Sequence, residues 1–165
     1  VYGGRKRNDA LNWLNVPVSG IDRDEAATYA AWLARTGKLP GAHLCTEREW
    51  ERAARGADLR DFPNGNTLTG DEANIDETYG RDAKLFGPDE VGAHPGSRSP
   101  FGVDDMAGNV NEWVLSSIDS TEAVVRGGGY FFSSVVARND NRGLVASNFR
   151  DPGVGLRICA AAPEL

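Results

Sequence analysis

Two stretches near the start of the chain carry a helical spacing of apolar residues, each opened by a capping signal. Asp22 with Glu25 forms a D-x-x-E pattern, and the periodicity behind it predicts a helix to about Thr36, stopped by Gly37. Ala26, Tyr29, Ala30 and Leu33 form its apolar stripe, with Trp32 beside them. A second helix is predicted from Thr46, where T-x-x-E with Glu49 repeats the box, Trp50, Ala53 and Ala54 share a face, and Gly56 ends it. Upstream, 16–20 (VPVSG) reads as extended. From Ala57 to Pro100 neither period survives and Gly and Pro recur, which predicts one long loop. Loops of that length are uncommon in a compact domain, and binding ions is one way to order them. The last third predicts short strands at Glu112–Leu115, Ala123–Arg126 and Val154–Cys159, rich in Val, Leu and Ile and separated by Gly or Asn clusters.

Composition sharpens this picture. Glycine, 20 of 165 residues, stands well above the roughly 7% of an ordinary domain, as turns and irregular loops require. Four Trp and interspersed charges exclude a disordered chain, and the length suits one domain, 1–165. No apolar run approaches the roughly 20 residues of a membrane-spanning helix, so membrane insertion is not expected. A net charge of −6 has the wrong sign for a phosphate-binding surface, so nucleic acid is not an expected partner. From the two cysteines and two histidines a closed zinc site is not expected, although oxygen ligands could still hold a metal. The chain opens on Val with no signal-peptide pattern and reads as cut from something longer; either side of a bacterial membrane suits it.

Four segments in order carry a resemblance: HLCTEREWERAARG at 43–56, ANID at 73–76, FGVDDMAGNVNEWV at 101–114 and VVRGGGYF at 124–131, with GLR at 155–157 closing the series. They resemble the formylglycine-generating enzyme, or sulfatase-modifying factor, family over about residues 16–159. The resemblance implies an α+β fold of C-type-lectin type with little regular structure, two helices and short antiparallel strands. It also implies that the N-terminal part of the family fold is missing.

In the family's enzymes two cysteines after the RGG motif bind copper, and soft thiolates are what copper(I) chemistry needs. Counting on from Arg126, those places fall on Phe132 and Ala137. Cys45 and Cys159 stand elsewhere in the motifs and are expected as two buried small side chains, with a disulfide between them as the alternative. Copper is therefore not expected. Nor is iron: His43 and His94 are too few for a three-histidine site and are expected as surface or hydrogen-bonded residues.

Calcium is the cofactor the resemblance leaves, since it takes many carbonyl oxygens. One set maps to Asn74 and Asp82 with the carbonyls of Ile75 and Lys84, although the shorter loop here weakens Asp82. A second maps to the carbonyls of Ala107, Gly108 and Val110 with the Glu112 carboxylate, Asn109 being a structural partner. The alternative for both is that these residues hold turns by hydrogen bonds.

Residues from about 130 to 153 would form the ligand-binding face. Tyr130, Phe131, Phe132, Ser133 and Ser134 follow the glycines, and Arg138, Asn139, Asp140, Asn141, Asn148, Arg150 and Asp151 come next. Rigid aromatics among adaptable polar groups suit recognition of a protein or other surface ligand. Phe131 and Phe132, if on a strand, point to opposite faces, one to the core and one to a pocket. Alternatively both are core and the Arg and Asp residues brace loops. The expected role is a non-catalytic binding domain. It could be a retroelement-diversified variable protein or a sensor domain of a bacterial protein kinase, and a divergent oxidoreductase is the rival. Ser133 and Ser134 are the only nucleophile candidates, and nothing places a base beside them.

Overall fold

The computed structural model describes residues 11–116 and 122–162. Helix α1 (Arg23–Arg35) begins on a complete capping box, in which the Asp22 side chain accepts from Glu25 N–H and the Glu25 side chain accepts from Asp22 N–H. Strand β1 (His43–Leu44) leads into α2 (Glu47–Arg55), which repeats that box with Thr46 and Glu49. Acidic residues in the first turn of α2 and Arg52 and Arg55 in its last turn also suit the helix dipole.

Strands β2 (Asn111–Val114), β3 (Ala123–Arg126), β4 (Gly143–Val145) and β5 (Val154–Leu156) form a sheet in the order β4-β3-β2-β5. Pairs β2–β3 and β3–β4 are antiparallel and β2–β5 is parallel. A second ribbon pairs β1 with β6 (Ile158–Cys159), antiparallel. Two helices with short, mostly antiparallel strands make this an α+β fold.

Every residue of β2 and β3 is buried, because the sheet is covered on both sides. Trp113, Ala123, Val125 and Val154 pack with Ala26 of α1 and Leu44, whereas the alternate residues Val114 and Val124 pack with Trp50 and Ala54 of α2, Cys45 and Met106. Double burial explains why β3 reads as an apolar run up to Arg126.

The long stretch 57–100 holds only two 3-10 turns, Ala83–Leu85 and Pro95–Ser97. A third apolar cluster anchors it, with Phe62, Leu68, Ala73 and Ile75 against Ala107 and Ala137. Asn109 ties it down from the other side: its Oδ1 accepts from Asp89 N–H (2.8 Å) and Asn74 Nδ2 (3.3 Å), and its own N–H donates to Asn74 O (2.8 Å). The turn brings Gly108, at φ +77°, so close that a Cβ there would run into the Asn74 carbonyl oxygen.

Three expectations need correction. Ala26 and Ala30 alone form the buried stripe of α1; Tyr29 is 49% exposed and stacks on Trp32 instead. Segment 16–20 makes an isolated bridge, Ser19 with Gly155, and no strand. The stretch 154–159 is two strands in two different sheets, since β5 pairs with β2 and β6 with β1.

Candidate functional site

A cavity of about 240 Å³ lies beside β3 and β4, under the turn that follows the glycines. Val125 of β3, Val145 of β4, Val154 of β5 and Val136 supply its aliphatic wall, and Phe131, Phe132 and Phe149 its aromatic one. Its polar lining is sparse: Asn111, Arg126, Asn141 and Asp151. An apolar enclosure with a few placed polar groups is the usual form of a ligand site.

Phe131 and Phe132 do not divide between core and pocket. Phe132 N–H donates to Gly129 O (3.0 Å), so the segment is a turn in which the rule of alternating faces has no force. Both rings are half-buried, 4.2 Å apart between centroids, and both line the cavity. Gly153 makes this possible, because a Cβ there would meet the Phe131 ring. Tyr130 stands behind, edge-on to Phe131 at 5.2 Å, and burial, followed by the nearby Asp151 charge, pushes its phenol above the ordinary tyrosine range.

The other residues of the expected face separate into lining and bracing. Asn141 and Asp151 line the cavity, the first donating from Nδ2 to Val136 O (2.8 Å) and the second accepting on Oδ1 from Gly153 N–H (2.8 Å). Arg138 braces the long loop, donating to Asp61 (2.7 Å) and Asp140 (3.1 Å). Asn139 is fully buried, its N–H on Asp61 O and its carbonyl accepting from Arg126 (2.6 Å), so it belongs to the framework. Arg150 pairs with Asp22 and Glu25 at the start of α1. Asn148 and Asp140 are exposed. Neither the Ser133 nor the Ser134 hydroxyl makes a hydrogen bond among the described residues, so neither has a base. Sequence reading missed Asn111, Arg126 and Phe149. The first two lie inside family motifs, Asn111 just ahead of one predicted strand and Arg126 at the end of another, and Phe149 lies between two polar residues that drew attention instead.

The two calcium sets fare differently. Glu112 is buried, and its carboxylate is already engaged: Arg157 donates to Oε1 (2.6 Å) and Oε2 (2.8 Å), and Trp50 Nε1 donates to Oε2 (2.6 Å). Burial, the largest single influence, would lower the Arg157 guanidinium, but the charge and hydrogen bond of Glu112 together with the charges of Asp105 and Asp104 outweigh it and hold the pKa above its ordinary value. A guanidinium seated on the only carboxylate does not fit a divalent cation at Ala107, Gly108, Val110 and Glu112. At the other set Asn74 Oδ1 is a buried acceptor without a partner among the described residues, which fits a cation ligand. Ile75 O accepts from Thr78 N–H, and the exposed Asp82 caps a 3-10 turn by accepting from Lys84 N–H (3.0 Å). No hydrogen bond joins Asn74 and Ile75 to Asp82 and Lys84.

Cys45 and Cys159 are bonded to each other, which replaces the expected pair of separate buried thiols. His43 is held by Gly41 O and Glu49, and His94 is buried on Asp89 (2.8 Å). Among the described residues no group of three or more His, Cys, Asp or Glu side chains is placed to hold a metal ion.

Comparison with known proteins agrees with this geometry. The Mycolicibacterium smegmatis hercynine oxygenase is 38% identical over 108 residues, covering 62% of this chain and 22% of that protein. The Bos taurus inactive C-alpha-formylglycine-generating enzyme 2 is 32% identical over 120 residues, covering 68% and 37%. Serine/threonine-protein kinase pkn1 of Chlamydia pneumoniae is 36% identical over 99 residues, covering 59% and 13%. The chain thus spans well under half the length of these relatives. Among solved structures, Treponema denticola variable protein 1 superposes with a TM-score of 0.77 at 18% identity, covering 95% of this chain and 75% of that one. PvdO from Pseudomonas aeruginosa gives 0.73 at 23% identity, covering 87% and 61%. The sulfatase-modifying factor enzyme 1-like domain matches residues 4–162, and the chain belongs to that family.

Proposed function

We propose that this chain is a non-catalytic recognition domain whose ligand enters the cavity walled by Phe131, Phe132 and Phe149. The observation that carries the reading is the pairing of Cys45 with Cys159, which leaves no thiol in a chain that has Phe132 and Ala137 where copper ligands would stand. Phe132 instead lines an apolar pocket, and Ala137 is buried in the cluster that anchors the long loop. The likeness to an enzyme named inactive, and the shared fold with a variable protein, support the same reading. A disulfide persists in oxidising surroundings, which supports a place for this surface outside a reducing cytosol.

A ring that waits for a ligand contributes little to folding. Phe132→Ala is therefore expected to cost about 1 kcal/mol, against the roughly 3–5 kcal/mol of a core phenylalanine. Chemical denaturation decides, and a core-sized loss would remove Phe132 from the binding surface.

If the domain is diversified, sibling copies of the gene differ at cavity and rim positions such as Phe131, Phe132 and Asn148 while Arg126 and Asn139 stay fixed. Siblings identical across 130–153 would contradict diversification. The kinase relatives favour a second setting for the same recognition role, as a sensor domain joined to a kinase.

Calcium enters this proposal only at Asn74, as a structural ion ordering the 57–100 loop, with Ile75, Asp82 and Lys84 as the other candidate ligands. Asn74→Ala is expected to lower the melting temperature more in calcium than in chelator, because the variant loses a ligand as well as its hydrogen bonds to Gly87 and Asn109. Equal losses in the two buffers would dismiss the ion.

A further inference from the structure

We propose that the cavity is an anchor pocket for a single phenol, a tyrosine side chain presented by a protein partner; this rests on the recognition reading above. Its size sets the first limit. A cavity of about 150 Å³ holds a benzene ring, and drug-sized ligands occupy roughly 300–1,000 Å³. At about 240 Å³ this one takes an aromatic ring with a polar substituent and little else. Three phenylalanines and four valines line it, and aromatic rings in edge or tilted contact gain about 0.5–1.5 kcal/mol beyond the area they bury.

The polar lining chooses among aromatic groups. Asn111 is only 7% exposed, and its carboxamide makes no hydrogen bond among the described residues, so it offers both a donor and an acceptor. Arg126, 3% exposed, has a buried Nε–H without an acceptor among the described residues, although its Nη2 serves Glu51 and Asn139 O. Asn141 gives one of its two amide N–H donors to Val136 O and keeps its carbonyl oxygen. The unmet needs are thus donors seeking an acceptor and acceptors seeking a donor, at the edge of an apolar slot. A phenol hydroxyl both accepts and donates; an indole N–H only donates, and a phenyl ring does neither. Burying a phenyl ring against Asn111 would desolvate the carboxamide with nothing in return. A carboxylate ligand would meet the Asp151 charge, while Arg126 is already balanced by Glu51.

The surroundings point to a side chain of a protein and away from a free phenol. Val135, 68% exposed, neighbours the lining residue Val136, and Phe149 is itself 40% exposed. A ring-sized pocket whose exposed neighbours can be covered by a partner and shut out water is the usual layout of an interface anchor.

The test is an NMR titration of the disulfide-intact protein, labelled at valine methyls, with N-acetyl-tyrosinamide and N-acetyl-phenylalaninamide. The tyrosine probe is expected to shift the methyls of Val125, Val136, Val145 and Val154 saturably and to bind about fivefold tighter, the value of one net hydrogen bond. Asn111→Ala, or Asn141→Ala should the first fail to fold, brings the two probes together. A Leu-Tyr-Leu peptide gains further affinity that Val135→Ser removes. Equal affinity of the two probes, shifts confined to other methyls, or no saturable shift would overturn the phenol assignment. Such a failure leaves recognition at this face standing, because that reading falls by a different result, a stoichiometric redox metal in the purified protein.

Discussion

Reducing the Cys45–Cys159 bridge is expected to lower the stability of the domain by about 4–5 kcal/mol. The bonded residues are 114 apart, so the bridge closes a loop through most of the chain and removes that much freedom from the unfolded state. It also holds what little else does: β6 is joined to β1 by a ribbon only two residues long, and the bridge ties Cys159 of β6 to the residue that follows β1, beside Trp50 and Val114. Urea unfolding of the oxidised and reduced protein, with Cys45→Ala/Cys159→Ala as a control that no reductant affects, measures the difference. Coincident midpoints for all three would show that the bridge contributes nothing.

Glu112→Ala should be nearly as damaging, at about 3–4 kcal/mol, since removing one member of a buried ion pair leaves the other charge uncompensated. Two groups lose their partner at once: the Arg157 guanidinium, whose side chain is 23% exposed and can recover part of its hydration, and the indole N–H of Trp50, which is fully buried and cannot. The Ala variant therefore loosens α2 from the sheet as well as β2 from the segment after β5. The loss is expected to be the same in calcium and in chelator, because Arg157 occupies the carboxylate. A loss present only in calcium would restore Glu112 as a metal ligand. Arg157→Met/Glu112→Leu, which removes both charges, is expected to recover most of the stability.

The parts of the fold that the sequence discloses are those governed by local chemistry. Both helices announce themselves through capping boxes, and the observed boundaries at Asp22 and Thr46 are where those boxes stand. Strand β3 is legible because both of its faces are buried, which leaves an unbroken apolar run. Strands β1 and β4, of two and three residues, are too short to show any period, and β4 begins on a glycine. They exist because β6 and β3 are there to pair with them, which is long-range information. Segments 114 residues apart meet in the same way at Cys45 and Cys159, where spacing cannot distinguish a bond from two buried thiols.

The candidate site divides along the same line. The segment following the glycines is visible as a change of composition, and its aromatic residues do line the cavity. Which polar residues face that cavity is decided by tertiary partners: Asn139 turns inward to Asp61 and Arg60, Arg138 and Arg150 reach back to acidic residues more than 70 and 120 positions away, and Asn111 arrives from the first position of β2, one residue ahead of the strand predicted from sequence. Glu112 likewise looked like a cation ligand because its partner lies 45 residues further on.

The claim that the chain recognises and does not oxidise is tested most directly by elemental analysis of the purified, disulfide-intact protein after growth with added copper and iron. The account predicts both metals far below one equivalent per chain, with or without calcium. Copper or iron held at one equivalent through dialysis would contradict it.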